Sequence, residues 1–339
     1  MYKFFRKALF LLPAEASHDL SLLSLSIAYK TGLLNLIASK AESSPLTVMG
    51  IEFPNKVGLG AGLDKNGKHI HALSKFGFGF IEIGTVTPKA QSGNPKPRLF
   101  RIPQANAIIN RMGFNNLGID NLIENVQTAK EAGFEGIIGI NIGKNLTTSV
   151  ENAINDYLIG LNKAYLHADY ITVNISSPNT PGLRSLQYGE ELDNLLATIK
   201  NEQKILAKQH DKYKPIAVKV APDLNDDEIK GVAESVLKNE IDALIATNTT
   251  LDKSTVDNLR FGQEAGGLSG EPVRNQSTRV IAEFYKYLQD QVPIIGIGGI
   301  ASADDANEKL DAGASLVQVY SGLIYEGPSL VKRIIKGLK

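Results

Sequence analysis

The sequence predicts an α/β protein of the (β/α)8 TIM-barrel class with an N-terminal helical extension. Three observations predict it. Eight short apolar runs recur between residues 57 and 320, each followed by an amphipathic helical pattern, and eight strand–helix units are the number that closes a barrel. No Pro-, Gly- or Ser-rich linker divides them. Polar residues, asparagine above all, collect where the apolar runs end, and barrel enzymes carry their chemistry at the C-terminal ends of their strands.

The division of the chain follows from a change of pattern near residue 45, with an amphipathic helical segment over 1–45 and the barrel over 46–339. In the first segment Phe5, Ala8, Leu9 and Leu12 share one helical stripe, and Lys3, Arg6 and Lys7 are the only charges before Glu15. Pro13 ends this helix. A second helical pattern runs from about His18 to Ile37, with Ser17 or Asp19 able to cap its start. Ala8–Leu12 is too short for the core of a signal peptide, although Ala14-Glu15-Ala16 resembles a cleavage site. No run of about 20 apolar residues is available to cross a bilayer. The remaining readings are a basic amphipathic segment lying on a membrane surface, which fits best, and two helices packed on the domain behind them.

Strands are expected over 57–60, 80–84, 136–142, 170–175, 215–220, 241–247, 293–296 and 315–320. Helices are expected over 68–76, 119–132, 149–167, 190–209, 226–238, 274–289, 303–312 and 329–337. Two connections are long, 85–116 and 248–272, and long loops in a compact domain form lids or line sites. The first holds four prolines and a small strand of its own near Leu99–Ile102.

Composition narrows the chemistry. Lys+Arg and Asp+Glu are 36 each, so no global basic field favours nucleic acid. With no cysteine there is no disulfide framework, thiolate metal site or cysteine nucleophile. His69 and His71 lack a third ligand motif and read as helix surface, so no metal is expected. Carboxylates are scarce at the strand ends, which argues against a two-carboxylate glycosidase and an Asp/Glu metal site.

The strand ends carry a different set. The run Ile171–Leu186 passes from an apolar strand into Asn174, Ser176, Ser177, Pro178 and Asn179, offering amides and hydroxyls without fixed charge. That lining suits a flat ligand with donors and acceptors on its edge. Gly298 and Gly299 follow strand seven, and Tyr320, Ser321 and Gly322 follow strand eight. Loops at those two places bind phosphate through glycine amides and a helix N-terminus. Phosphate together with a flat amide-lined pocket suggests a phosphorylated planar cofactor such as FMN. Lys65 and Lys219 stand at strand ends in apolar contexts, where an ammonium beside a flavin stabilises its anionic reduced form.

Ten segments in order, AGLDKNG, PRLFR, NRMGFNN, GINIGKN, VNISSPNTPGLR, AVKVAPDL, ATNTT, GGLSG, IGIGGI and VQVYSGLIYEGP, resemble the dihydroorotate dehydrogenase family, in its class 2 quinone-reducing, membrane-associated form. The likeness spans about 57–330 and, by pattern, the N-terminal helices. It implies oxidation of (S)-dihydroorotate to orotate in pyrimidine biosynthesis, with one FMN per chain taking a hydride from C6 while a base removes the C5 proton. It implies that Ser177 is that base, in the place where class 1 forms carry a cysteine. Substrate contacts are implied for Lys65, Asn110, Asn174, Asn179, Asn248 and Thr249, and for the segment Arg111, Met112, Gly113 and Phe114. FMN contacts are implied for Ala61, Gly62, Lys65, Thr85, Asn141, Asn174, Lys219, Thr247, Gly270, Gly299, Tyr320 and Ser321. A quinone would reach the flavin between the N-terminal helices, near His18 and Arg101. The expected partners are dihydroorotate or orotate, a membrane quinone and a membrane surface, with no nucleic acid and no obligate protein partner. The expected location is the cytoplasmic face of a bacterial cell membrane, because an Arg/Ser-rich transit segment is absent.

Rival readings are the same oxidation with fumarate or an NAD-linked acceptor, a flavin-free phosphate-binding barrel isomerase or lyase, and a membrane-surface scaffold that uses the barrel as a stable body.

Overall fold

The computed structural model describes residues 2–36 and 44–339. Two helices come first, α1 (Tyr2–Leu9) and α2 (Ala14–Lys30). α2 begins four residues before the expected His18. Pro13 at φ −52° stands at its N-cap, and Glu15 lies in the first turn, where a carboxylate complements the macrodipole. Ser17 therefore does not cap the helix but sits buried inside it, its N–H donating to Pro13 O over 2.9 Å. α2 also ends earlier than expected, at Lys30. Gly32 at φ 78° breaks it and Leu33–Leu36 forms a single 3-10 turn. Residue 37 of the expected helix lies outside the described residues.

A hairpin, β1 (Leu46–Val48) and β2 (Ile51–Phe53), precedes the barrel. The barrel then follows as β3 (Val57–Leu59), α3 (Ile70–Ser74), β4 (Phe80–Val86), β5 (Leu99–Ile102), β6 (Ala107–Asn110), α4 (Ile119–Glu131), β7 (Ile137–Ile142), α5 (Ala153–Ala164), β8 (Tyr170–Asn174), α6 (Gly189–His210), β9 (Ile216–Val220), α7 (Asp226–Lys238), β10 (Ala243–Ala246), β11 (Gly267–Gly270), α8 (Arg274–Leu288), β12 (Ile294–Ile297), α9 (Ala303–Asp311), β13 (Ala314–Val319), α10 (Ser321–Glu326) and α11 (Ser329–Gly337). Strands β3, β4, β7, β8, β9, β10, β12 and β13 pair in that order and close on themselves. Every pairing in the ring is parallel, as the alternation of strand and helix requires.

The strands are covered on both faces, which is why they read as continuous apolar runs rather than as alternation. Their outward side chains and the helices form the larger core, with Val218, Val173, Ile140 and Val317 among its buried members. The inner core stacks Val48 and Phe53 of the hairpin on Phe80, Tyr170, Ile245 and Leu316. Phe53 meets Phe80 edge-on at 5.1 Å and Phe80 meets Tyr170 at 6.2 Å, so the hairpin plugs the N-terminal end of the barrel. Two glycines make room for these rings. A Cβ on Gly58 or Gly139 would lie 2.2 Å from Phe80 or Tyr170.

The opposite end is roofed differently. The two long connections contribute β5, β6 and β11, which pair antiparallel as one three-stranded sheet in the order β11-β6-β5. The sequence predicts only the first of these strands; β6 pairs locally with β5, and β11 gains its partner β6 from a segment about 160 residues away. Helix α1 docks on α10 through Tyr2 Oη donating to Ile324 O (2.7 Å) and Arg6 donating to Tyr325 O (2.6 Å). Helix α2 is held by the Glu15–Arg98 ion pair at 2.7 Å and by Tyr29 stacked on His71. His69 and His71 are thus covered by α2 rather than free helix surface. His69 Nδ1 bonds Ser26 Oγ at 2.6 Å and His71 Nε2 bonds Ala129 O at 3.0 Å.

Candidate active site

One cleft opens at the C-terminal ends of the barrel strands, about 1200 Å³ including its mouth. It unites elements far apart in sequence. The loop after β8 brings Asn174, Ser177 and Asn179, the turn after β12 brings Gly298 and Gly299, and the end of β13 brings Tyr320 and Ser321. Ala61, Gly62, Lys65, Thr85, Asn110, Met112, Gly113, Phe114, Lys219, Thr247, Asn248, Thr249 and Gly270 complete the expected set within one lining, and His18 of α2 reaches the same wall.

Arg111 and Asn141 do not border this cleft, and Arg101 stands beside the N-terminal helices. Arg111 is committed to Glu264 (2.8 Å), Ala265 O and Pro97 O, so its guanidinium braces the roof. Arg101 donates to Leu9 O, Phe10 O and Leu12 O and stacks 4.4 Å over Phe10, so it caps the end of α1. Asn141 is fully buried one layer below the lining.

The electrostatics of the cleft are one-sided. Its lining contains two lysines and no carboxylate. Burial lowers Lys65 to about 8, with Glu15 partly opposing, and its Nζ donates to Gly62 O at 2.9 Å. Burial also lowers Lys219, against the pull of Glu82. His18 is lowered to about 3, first by burial and then by Lys65 and His69, so it is neutral near pH 7. Burial raises Tyr320 to about 12. Ser177 is buried, and its Oγ accepts a 3.3 Å bond from the Asn179 N–H. Among the described residues no carboxylate or imidazole bonds to that hydroxyl.

The lining is prepared for a ligand. The buried Thr247 Oγ1, Thr249 Oγ1 and Gln318 Oε1 have no protein partner, and all three residues line the cleft. Gly299 packs so tightly on the first turn of α8 that a Cβ would lie 2.5 Å from Arg274 Cβ, leaving bare backbone toward the cleft. Backbone amides, hydroxyls and cations without carboxylates fit the phosphate and carbonyl edges of FMN.

Two supporting groups escaped the sequence reading. Glu82 lies at the barrel centre and accepts from Asn141 (2.8 Å), Tyr170 (2.9 Å), Thr172 (3.2 Å) and Gln318 (2.8 Å). A lone carboxylate inside the apolar run Phe80–Gly84 is the signal that could have revealed it. Arg184 clips the Ser177 loop in place, donating to Ser176 O (3.0 Å), Asp223 (2.7 Å) and Thr249 O (2.9 Å). Among the described residues no group of three or more His, Cys, Asp or Glu side chains could hold a metal.

The fold and cleft together define a class: a (β/α)8-barrel enzyme whose strand-end mouth is lined by amides, hydroxyls and two lysines. The family sequence model described as dihydroorotate dehydrogenase matches residues 44–339, and the chain belongs to that family, in its quinone-linked class 2. It is 58% identical over 338 residues to the dihydroorotate dehydrogenase (quinone) of Acinetobacter baylyi, covering 100% of this chain and 99% of that one. It is 57% identical over 338 residues to the protein of the same name from Vibrio cholerae, covering 100% of both chains. A crystal structure of DHODH from Eimeria tenella in complex with ferulenol superposes with a TM-score of 0.88 at 36% identity, covering 95% of this chain and 90% of that one.

Proposed function

We propose that this cleft carries out the family's reaction, the oxidation of dihydroorotate to orotate in pyrimidine biosynthesis with electrons leaving to a quinone. The observation that supports it is the shared lining. Ser177, the amides of Asn174, Asn179 and Asn248, the Gly298–Gly299 turn and both lysines bound one space.

FMN, when bound, would supply the acceptor for the hydride at C6 of the dihydropyrimidine ring. Gly270, Gly299, Tyr320 and Ser321 would hold its phosphate end, and Ala61, Gly62, Thr85, Asn174, Lys219 and Thr247 would border its ring, with Asn141 supporting Thr85 from below. Ser177 Oγ takes the proton from C5, and its own proton leaves through the site, since a neutral serine is a weak base. Asn110, Asn174, Asn179, Asn248 and Thr249 read the polar edge of the substrate, and Lys65 balances its carboxylate. Held by Arg184, the Ser177 loop keeps the hydroxyl against the substrate.

The quinone enters from the side of α1 and α2, past His18. Phe4, Phe5, Leu20, Leu23 and Ile27 on these helices and Leu11 in the turn between them are exposed, an apolar set that suits the surface of a membrane. No helix among the described residues is long and apolar enough to cross one. The location that fits is the cytoplasmic face of a bacterial membrane. The deciding experiment is the visible spectrum of the purified protein before and after anaerobic dihydroorotate. Flavin bands that bleach are expected, and a colourless protein would overturn the cofactor reading.

A further inference from the structure

Side chains of the cleft floor form a single directed chain of hydrogen bonds. Asn248 Nδ2 donates to Ser176 Oγ (3.0 Å), and Ser176 Oγ donates to Asn174 Oδ1 (2.9 Å). Asn174 Nδ2 donates to Thr85 Oγ1 (2.9 Å), and Thr85 Oγ1 donates to Asn141 Oδ1 (2.5 Å). Asn141 Nδ2 donates to Glu82 Oε1 (2.8 Å), where the chain ends. Thr85, Asn141, Asn174, Ser176 and Glu82 are all buried, so water does not supply alternative partners.

The direction has one cause. Both oxygens of Glu82 accept, so Asn141 turns its NH2 toward Glu82 and its oxygen toward Thr85. Thr85 must then donate to Asn141 and accept from Asn174. Asn174 is left with its oxygen toward Ser176, and Ser176 accepts from Asn248. Each amide could flip and each hydroxyl could rotate, but reversing any link would set oxygen against oxygen at the next. Asn248 Oδ1 is already taken by the Thr249 N–H at 2.8 Å. The consequence at the lining is that Asn174 and Asn248 have their amide oxygens engaged within the protein and each keep one N–H uncommitted.

We propose that Glu82, which touches no ligand, is the positioning residue that sets the hydrogen-bond polarity of the cleft floor, so that it presents donors to carbonyl and carboxylate edges. The inference rests on the reading of this cleft as the dihydroorotate and flavin site. It explains why a carboxylate is tolerated at the centre of an apolar barrel. Four donors from three strands satisfy it, and the chain that starts there orders amides up to five side chains away. A neutral amide at the same place permits either direction, because Gln can donate or accept.

The test measures orotate binding by titration calorimetry on the full-length holoprotein, with the flavin bands recorded beside it. Glu82→Gln is expected to weaken orotate about tenfold. Thr85→Val, which cuts the chain midway and leaves Glu82 with all its donors, is expected to weaken it in the same direction. The double variant should bind no worse than the weaker single, because both remove one ordering path. Glu82→Gln binding orotate within twofold of wild type, or losses that multiply in the double variant, would overturn the proposal. If Glu82→Gln does not fold, the cycle of Thr85→Val with Asn248→Ala replaces it, and additive losses there refute the chain equally. A wild-type protein without flavin bands refutes the cofactor reading instead, a separate outcome because calorimetry does not need the flavin.

Discussion

The cleft floor and the N-terminal helices are built on opposite principles. The floor is buried polar structure, its amides and hydroxyls linked in one chain that ends on Glu82. The helices are exposed apolar structure, with Phe4 79%, Leu11 87% and Leu23 56% exposed, attached to the barrel by a few polar tethers such as Glu15–Arg98 and Arg6–Tyr325. A buried polar network fixes geometry because an unmade hydrogen bond there is costly. An exposed apolar face fixes nothing by itself and gains only by meeting an apolar phase. On this difference we propose that the floor serves the oxidation of dihydroorotate and the helices the delivery of electrons to a quinone.

Changes confined to one region should therefore impair one half-reaction. The largest effect expected is for Ser177→Ala, which should slow flavin reduction by dihydroorotate by roughly 10²–10⁴-fold while quinone still reoxidises reduced flavin at nearly the wild-type rate. Stopped-flow traces with both halves slowed alike would erase the contrast. Next comes the helical face. Leu20→Glu, Leu23→Glu and Ile27→Glu together should cut partition onto phospholipid vesicles by about 100-fold or more, since each removes roughly 1.5–3 kcal/mol of burial. Vesicle sedimentation reads this, and reduction by dihydroorotate should stay intact.

Arg184→Gln sharpens the comparison from within the cleft. It leaves Ser176 O, Thr249 O and Asp223 short of a donor, and a half-exposed pair of this kind contributes about 1–1.5 kcal/mol. The reductive rate should fall about tenfold with flavin content unchanged. The smallest effect concerns pH. Burial lowers Lys65 from 10.5 to about 8. The folded protein thus holds fewer protons than the unfolded chain between those values, so this group makes stability rise with pH across that window. Over the same window it stops offering positive charge to an anion. Orotate affinity should fall three- to tenfold from about pH 7 to about pH 9, and Lys65→Met should flatten that profile.

How much was legible in the sequence varies with the range of the interaction. The eight strand–helix units announce themselves because a strand covered on both faces must be apolar throughout, and a helix covered on one face must repeat every 3.6 residues. The glycine turn at 298–299 and the amide-rich end of β8 are local signals of the same kind. The start of α2 lies four residues before the expected one although its determinant, Pro13, is local.

The sequence alone thus determined the barrel, the positions of its polar strand ends and the amphipathic character of the first helices, because each is a periodicity or a composition carried by neighbouring residues. Tertiary structure alone decided that β5, β6 and β11 form one roof, that Arg101 and Arg111 brace helix and roof rather than line the cleft, and that Glu82 orders amides on strands remote from its own. Hydrogen bonds and ion pairs have a reach of about 3 Å, and which groups come within it is settled only when the ring of strands has closed.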